Sequence, residues 1–371
     1  MANKEDIIAT LRLINTPKIG AKSFFDLLGD AGSIRKALDN VLANPKLEPW
    51  TKERAEAEFD NAAKQGIKIL LYSDEEYPQA LKNSNVCPPL LYAKGKIDIL
   101  NTNNCVAIVG SRSASINGRK IASQIAYHLA ENGVCIISGM ARGIDASAHK
   151  GAMYSQQQNG PTIAVLGTGV DVVYPLENQS VYDEIEQNGC IISEVPLGTK
   201  AVAANFPRRN RIVAAMANAI VVVEAGINSG SLITAKFGAE MHKMLFAVPG
   251  TPGESRTSGS NMLIKNGAIL AETADDILPF LKGNKIISTE QKEILKQKVL
   301  VFENNDVNYS EQKKEPKGLV KFLTFDGTDI DELIRTTGKT PAEIAMEILE
   351  LELEGVIERR AGNKIALINK S

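Results

Sequence analysis

The stretch "VAIVGSRSASINGRKIA", residues 106–122, decides how this chain is read. It has the pattern of a buried strand running into a turn and then a helix, the usual opening of a nucleotide-binding α/β unit. A dinucleotide fingerprint needs G-x-G-x-x-G, so that bare backbone can approach a pyrophosphate, and an acid about 20 residues on to hold the ribose. Here the turn is Gly110-Ser111-Arg112, with arginine where the second glycine belongs. The next apolar run, "VCIISGMARG" (134–143), ends on Ser138-Gly139-Met140 without an acid at the ribose position. The turn therefore has to meet some phosphate other than a dinucleotide's.

Outward from this stretch, apolar runs alternate with helical stretches from 105 to 250: "CVAIVG", "VCIISG", "TIAVLG", "CIISEV", "AIVVVEA" and "MLFAVPG". Runs continuous in Val and Ile, free of polar alternation, are what a parallel sheet covered on both faces requires. The expected fold is α/β: an extended Rossmann-like, doubly wound sheet over 63–283, led in by two further strands in "IKILLY" and "PPLLYAKG". A small helical domain, of SAM or helix-hairpin-helix type, is expected over 1–62, where "PKIGAKS" (17–23) has the form of a hairpin turn whose amides could hold a DNA phosphate, or simply of a loop between packed helices. Residues 303–318, "ENNDVNYSEQKKEPKG", are too polar to pack, and 284–318 reads as a linker. Over 319–371, helix starts at Thr328 and at Thr340-Pro341-Ala342-Glu343 precede the hairpin-like "VIERRAGNKIALI", giving a winged helix.

Composition bounds the function classes. The 371 residues are 44% hydrophobic and 23% charged with a net charge of −2, so any basic surface for nucleic acid is local. No apolar run approaches 18 residues and the N-terminus "MANKEDIIATLRL" is charged, which predicts a cytoplasmic protein without a membrane partner. Cys87, Cys105, Cys135 and Cys190 share no C-x-x-C spacing and read as small core residues of a reducing compartment.

Ligands of open parallel sheets bind outside the carboxyl ends of the strands. The residues there are rich in Gly, Ser and Arg: Gly110-Ser111-Arg112, Ser138-Gly139, Gly167-Thr168-Gly169, "EAGINSGSLITA" (224–235) and Pro249-Gly250. Such turns suit phosphate. The segment "LGTKAVAANFPRRNRIVAA" (197–215) adds Lys200, Arg208, Arg209 and Arg211 with no acid between Pro196 and Ala219, and Phe206 stands among them. An aromatic beside a basic run is the composition for tracking single-stranded nucleic acid. The alternative is a core Phe206 with arginines paired to Glu194 and Glu224, and at least one arginine is expected to be structural. No nucleophile elbow, Walker sequence or metal-ligand cluster appears, and Asp145 in "RGIDASAHKGA" reads as an N-cap before a base. Catalytic residues, cofactor and metal are accordingly expected to be absent.

"IVGSR", "SGMARGIDASAHKGA", "TIAVLGTGVDVVYP", "ISEVPLG", "FPRRNRIVA", "SGSLITA" and "VPG" resemble, in order and spacing, the DNA-processing protein A family (DprA, or Smf), from about residue 65 to 280. The resemblance implies a homodimer that binds single-stranded DNA without catalysis and loads the recombinase RecA during natural transformation, in competence and DNA recombination. It places Gly110, Ser111 and Arg112 on a DNA phosphate, and Phe206, Arg209, Asn210, Arg211, Ser229, Gly230, Ser231 and Thr234 around the same pocket. Where the family pattern often has a lysine before Phe-Pro, this chain has Ala203-Ala204-Asn205, and the nearest lysine is Lys200. On this reading Arg112 replaces the second glycine because the ligand is a polyanion.

The rival is a nucleotide-processing, Rossmann-like hydrolase using Glu194 or Glu224 as its acid. The dimer contact is expected around "SGSNMLIKNGAIL" (258–270), where Met262, Leu263, Ile264, Ile269 and Leu270 exceed what one short helix need bury. The winged helix is not expected to read duplex DNA: "PAEIAMEILELELEG" (341–355) has five glutamates and no base, and residues 319–371 carry ten acids and seven bases. A protein partner, or an autoinhibitory contact, suits it better.

Overall fold

Asn3, Ser33 and Thr51 each accept a backbone N–H and so start helices: α1 (Lys4–Ile14), α3 (Ile34–Leu42) and α4 (Lys52–Lys64), with α2 (Ala21–Ala31) between the first two. The structure is a computed structural model that describes residues 3–155, 161–281, 319, 323, 328–353, 356–360 and 362–367. It divides into two compact units, 1–301 and 302–371.

After α4 come β1 (Lys68–Leu71), α5 (Gln79–Lys82) and β2 (Leu90–Gly95), the two expected lead-in strands. The alternating part then runs β3 (Cys105–Gly110), α6 (Ile116–Glu131), β4 (Cys135–Ser138), α7 (Ile144–Met153), β5 (Thr162–Val165), α8 (Gln179–Asn188) and β6 (Cys190–Ser193). It continues with α9 (Asn205–Met216), β7 (Ala219–Val223), α10 (Gly230–Glu240), β8 (Met244–Ala247), α11 (Ser258–Lys265), β9 (Ile269–Leu270) and α12 (Leu278–Leu281). Each of the six Val/Ile-rich runs is a strand, and all six are parallel to their neighbours within the order β6-β5-β4-β3-β7-β8. β1 and β2 extend the β6 edge antiparallel, and β9 continues beyond β8.

Burial on both faces explains the unbroken apolar runs. On one face Val106, Ile108, Ile136, Val221, Val223 and Phe246 pack with Ala122, Ile125 and Leu129 of α6. On the other, Tyr92, Ala164, Leu166 and Ile191 join Ile7, Ile8 and Leu11 of α1 and Ala55 and Ala62 of α4 in one cluster, so the N-terminal helices complete the sheet's own core. All four cysteines are buried and free. Because β3 pairs with β4 on one side and β7 on the other, the winding reverses at β3, and the carboxyl ends of these strands bound a crevice.

The C-terminal unit has β10 (Thr328–Asp329), α13 (Ile330–Thr337), α14 (Pro341–Leu353), β11 (Ile357–Arg360) and β12 (Lys364–Leu367), the strands ordered β10-β12-β11. This is the expected winged helix. Thr340 caps α14 reciprocally: its N–H donates to Glu343 Oε2 at 2.8 Å and its Oγ1 accepts from Glu343 N at 3.3 Å. Leu319, Leu323, Leu333, Ile344, Ile348, Ile357 and Ile365 form its core. The expected linker, 284–318, lies outside the described residues.

Candidate nucleic-acid interface

The Gly110-Ser111-Arg112 turn sits at the end of β3. Gly110 is explained by packing, since a Cβ there would overlap the Val223 carbonyl oxygen and the Ile144 side chain. Arg112 is half-buried, with its Cζ 5.4 Å from the centroid of the Phe206 ring, within cation–π range. Phe206 in turn lies against Tyr174, the ring centroids 5.5 Å apart and the planes inclined at 41°. Its ring is half-buried, neither sealed in the core nor fully free, so a guanidinium and two aromatic faces meet at the crevice. Tyr174 was not among the expected site residues. An aromatic in an irregular loop carries no periodic signal of where it points.

The N-terminus of α6, the place where a Rossmann fold ordinarily receives phosphate, is occupied by the protein's own carboxylate. Ser115, its N-cap, donates N–H to Glu224 Oε2 at 2.8 Å and its hydroxyl to Glu224 Oε1. The amides expected to meet a ligand anion at this helix are thus partly committed internally, and Arg112 is the cationic group the turn presents.

On α9 the arginines divide by helical phase. Arg209 shares a stripe with Ile212, Val213 and Met216 at spacings of three, four and seven, and is 4% exposed. Its Nη1 donates to the Val165 carbonyl, and it fills the space above Gly139, where a Cβ would overlap the guanidinium. Arg209, expected to contact DNA, is thus buried and bonded inside the fold, as at least one arginine of the basic run was expected to be. The stripe was legible in the sequence. Arg208 and Arg211, three apart, both reach Glu194: Arg208 Nε lies 3.3 Å from Oε1, and Arg211 Nη2 bonds Oε2 while its Nη1 donates to Val86 O. Arg211 is 12% exposed in its side chain and Arg208 49%, so of the two only Arg208 offers charge to solvent. Glu224, expected as an alternative arginine partner, instead faces Ser115.

Asn210 donates Nδ2 to Gly230 O at 3.2 Å, tying α9 to the start of α10. Ser229 caps α10, and its hydroxyl lies 2.8 Å from that of Ser231. Ser229 is half-buried and Gly230 exposed, whereas Ser231 and Thr234, three residues apart on α10, are buried, at 7% and 1%. Neither side chain is presented to solvent. Lys200 is exposed and, among the described residues, makes no ion pair; it follows a loop fixed by Gly198 N–H on Asp171 at 2.9 Å. Of the expected dimer residues, Leu263 is 1% exposed and belongs to its own subunit's core, a correction, whereas Met262, Ile264 and Ile269 are half-buried and Leu270 is 46% exposed.

Beneath the crevice lies a buried polar group. Asp145 is not the N-cap of α7, a place held by Gly143; its Oδ2 accepts from Gly139 N at 3.2 Å and Ala141 N at 3.3 Å. Burial pushes its carboxyl pKa up, against the pull of Arg209 and those amides. Burial lowers Arg209 to about 10, which leaves it charged near neutrality. His149, brought down to about 3 by burial and by Arg209, stays neutral. Thr162 gives its hydroxyl proton to Ile136 O, so His149 Nδ1 donates to Thr162 Oγ1 at 2.7 Å, and Nε2 is the bare nitrogen. Asp145, Arg209 and His149 are all buried, as is Glu194, which Arg208 and Arg211 hold. Among the described residues no cluster of His, Cys, Asp or Glu could hold a metal, and no helix is long and apolar enough to cross a membrane.

Comparison with known proteins agrees with this architecture. The family model described as "DNA recombination-mediator protein A" matches residues 68–282, a DprA-like N-terminal HHH domain matches 4–61, and the DprA winged-helix domain matches 308–363. Protein Smf of Escherichia coli is 34% identical over 310 residues, covering 80% of this chain and 77% of Smf. The X-ray structure of DNA processing protein A from Streptococcus pneumoniae superposes with a TM-score of 0.64 at 29% identity, covering 76% of this chain and 100% of that one. DNA processing protein A from Helicobacter pylori, a structure described for its single-stranded DNA binding mode, gives 0.52 at 30% identity over 58% of this chain and 95% of its own. With matches from the first helix through the sheet to the winged helix, this chain belongs to the DNA recombination-mediator protein A (DprA/Smf) family.

Proposed function

We propose that this protein binds and protects single-stranded DNA in the crevice beside β3, without catalysis, and loads the recombinase RecA onto it during natural transformation. The observation that carries the DNA contact is Arg112 over Phe206: among the described residues no carboxylate pairs with Arg112, while Glu194, Glu224 and Asp145 are all engaged internally. A polyanion would meet a guanidinium held by no salt bridge among the described residues, beside a ring on which a base can stack. The likeness to the Helicobacter pylori protein supports a single strand as the ligand. The RecA step rests on the family resemblance. Internal engagement of the acids speaks against the nucleotide hydrolase.

Arg112→Ala is expected to weaken binding to an oligothymidine and to flatten the salt dependence by about 0.7 on a log–log plot, one single-strand phosphate contact. Fluorescence anisotropy at several salt concentrations checks it, and unchanged affinity and slope in a folded variant would remove Arg112 from the interface.

The dimer belongs to the same proposal. Ile264 on α11 and Leu270 on the edge strand β9 are the residues to perturb, since a charge at the buried Leu263 would unfold the subunit. Leu270→Glu is expected to shift the protein from dimer to monomer in sedimentation at tens of micromolar, with its melting temperature little changed; a wild-type monomer there refutes the dimer. The winged helix keeps its proposed role away from duplex DNA: Glu343 and Met346 are exposed on α14, Glu347 is paired with Lys339, and Arg360 on the wing is held by Glu358 at 2.9 Å.

A further inference from the structure

The five-residue turn 111–115 that carries Arg112 is gripped at both ends by one residue. At its start, Ser111 N–H donates to the main-chain carbonyl of Glu224 at 2.8 Å. At its end, Ser115 N–H and Oγ–H both go to the Glu224 carboxylate, while Ser115 Oγ accepts from Gly118 N at 2.9 Å, so the same hydroxyl starts α6. Gly118 makes the room: a Cβ there would overlap the carboxylate. Glu224 stands at φ +48°, a left-handed conformation that costs a non-glycine residue free energy. Two further bonds brace the turn, Ser113 N to Ser111 Oγ at 3.1 Å and Ile144 N to Ser111 O at 3.2 Å, but neither reaches its far end.

We propose that Glu224 is a positioning residue for DNA binding, holding the 111–115 turn so that Arg112 lies over Phe206 and faces the strand's phosphate. This rests on the reading of Arg112 as a phosphate contact. The sign of its effect is opposite to plain electrostatics. A carboxylate near a polyanion site should weaken binding, and its removal should strengthen it. If the carboxylate instead fixes the cation, its removal frees the turn, and the ordering of Arg112 has to be supplied on binding.

The test compares Glu224→Asn, Glu224→Gln, Arg112→Ala and the Glu224→Asn/Arg112→Ala double variant, titrated with oligothymidine over a salt series. Asparagine tolerates left-handed backbone but is too short to reach Ser115; glutamine keeps the reach and loses the charge. Glu224→Asn is expected to bind about tenfold more weakly and Glu224→Gln within about twofold of wild type. In the Arg112→Ala background the Asn change should add less than about twofold, because the residue it positions is gone. Tighter or unchanged binding by Glu224→Asn overturns the proposal, and so does a loss fully additive with Arg112→Ala. Should Glu224→Asn fail to fold, Ser115→Ala takes its place, with about a threefold loss expected and an unchanged affinity counting against the proposal. Arg112→Ala without effect sinks the phosphate-contact reading together with this inference; Arg112→Ala weakening while Glu224→Asn does not sinks this inference alone.

Discussion

Replacing Arg209 by methionine is expected to lower the free energy of unfolding by about 3–5 kcal/mol, the usual cost of leaving a buried charge without its counter-charge. Arg209 is 4% exposed, and its guanidinium donates to Val165 O and lies above Gly139, whose amide is bound to Asp145. Methionine fills much of the volume but supplies neither a donor nor a positive charge. The pKa of the Asp145 carboxyl, already raised by burial, would rise further once the pull of Arg209 is gone. Asp145→Asn in the same chain should therefore recover part of the loss. Urea denaturation of the wild type and the two variants checks both statements, and oligonucleotide titration of the folded Arg209→Met protein adds the discriminating arm. DNA affinity lost without a change in stability would mean that Arg209 reaches the strand after all.

Phe206→Ala is expected to weaken single-strand binding by about 1–3 kcal/mol, the range of one base stacked on an aromatic ring, with a comparatively small drop in melting temperature. Its half-exposed ring limits the packing that truncation can remove, and truncation also takes away the surface over which Arg112 lies. Phe206→Tyr should bind as wild type. Phe206→Leu, which preserves apolar volume but not the π-face, should fall near the alanine variant. A leucine variant with wild-type affinity would assign the ring to packing alone, and a large loss of melting temperature in all three would assign it to the core.

The sheet was legible because its signal is local and repeated. Six runs continuous in Val and Ile can be buried on both faces only in a parallel, helix-covered sheet, and their order along the chain left little freedom of topology. Thr340 and Glu343 likewise announced α14 by a capping pattern that operates within one turn of helix. The candidate site was legible in part. Arg112, Phe206 and Lys200 could be singled out by composition, and the burial of Arg209 could have been read from its phase with Ile212, Val213 and Met216.

What the sequence determined by itself, then, was set by neighbours within a few residues: element type, strand continuity, caps and the local excess of positive charge. Which of those charges faces solvent was decided by contacts between residues far apart in the chain. Glu194 draws in Arg208 and Arg211 from 14 and 17 positions away. Arg209 bonds a carbonyl 44 positions away. Glu224 reaches back 109 residues to Ser115, beside the opening turn. An ion pair or a buried donor is satisfied by whatever partner the packed sheet brings within about 3 Å, and sequence distance enters that choice only through the topology. The turn at 110–112 thus carries its arginine by sequence, while the carboxylate seated at the helix behind it, in the place of a ligand's phosphate, was supplied by β7 lying beside β3 in the folded sheet.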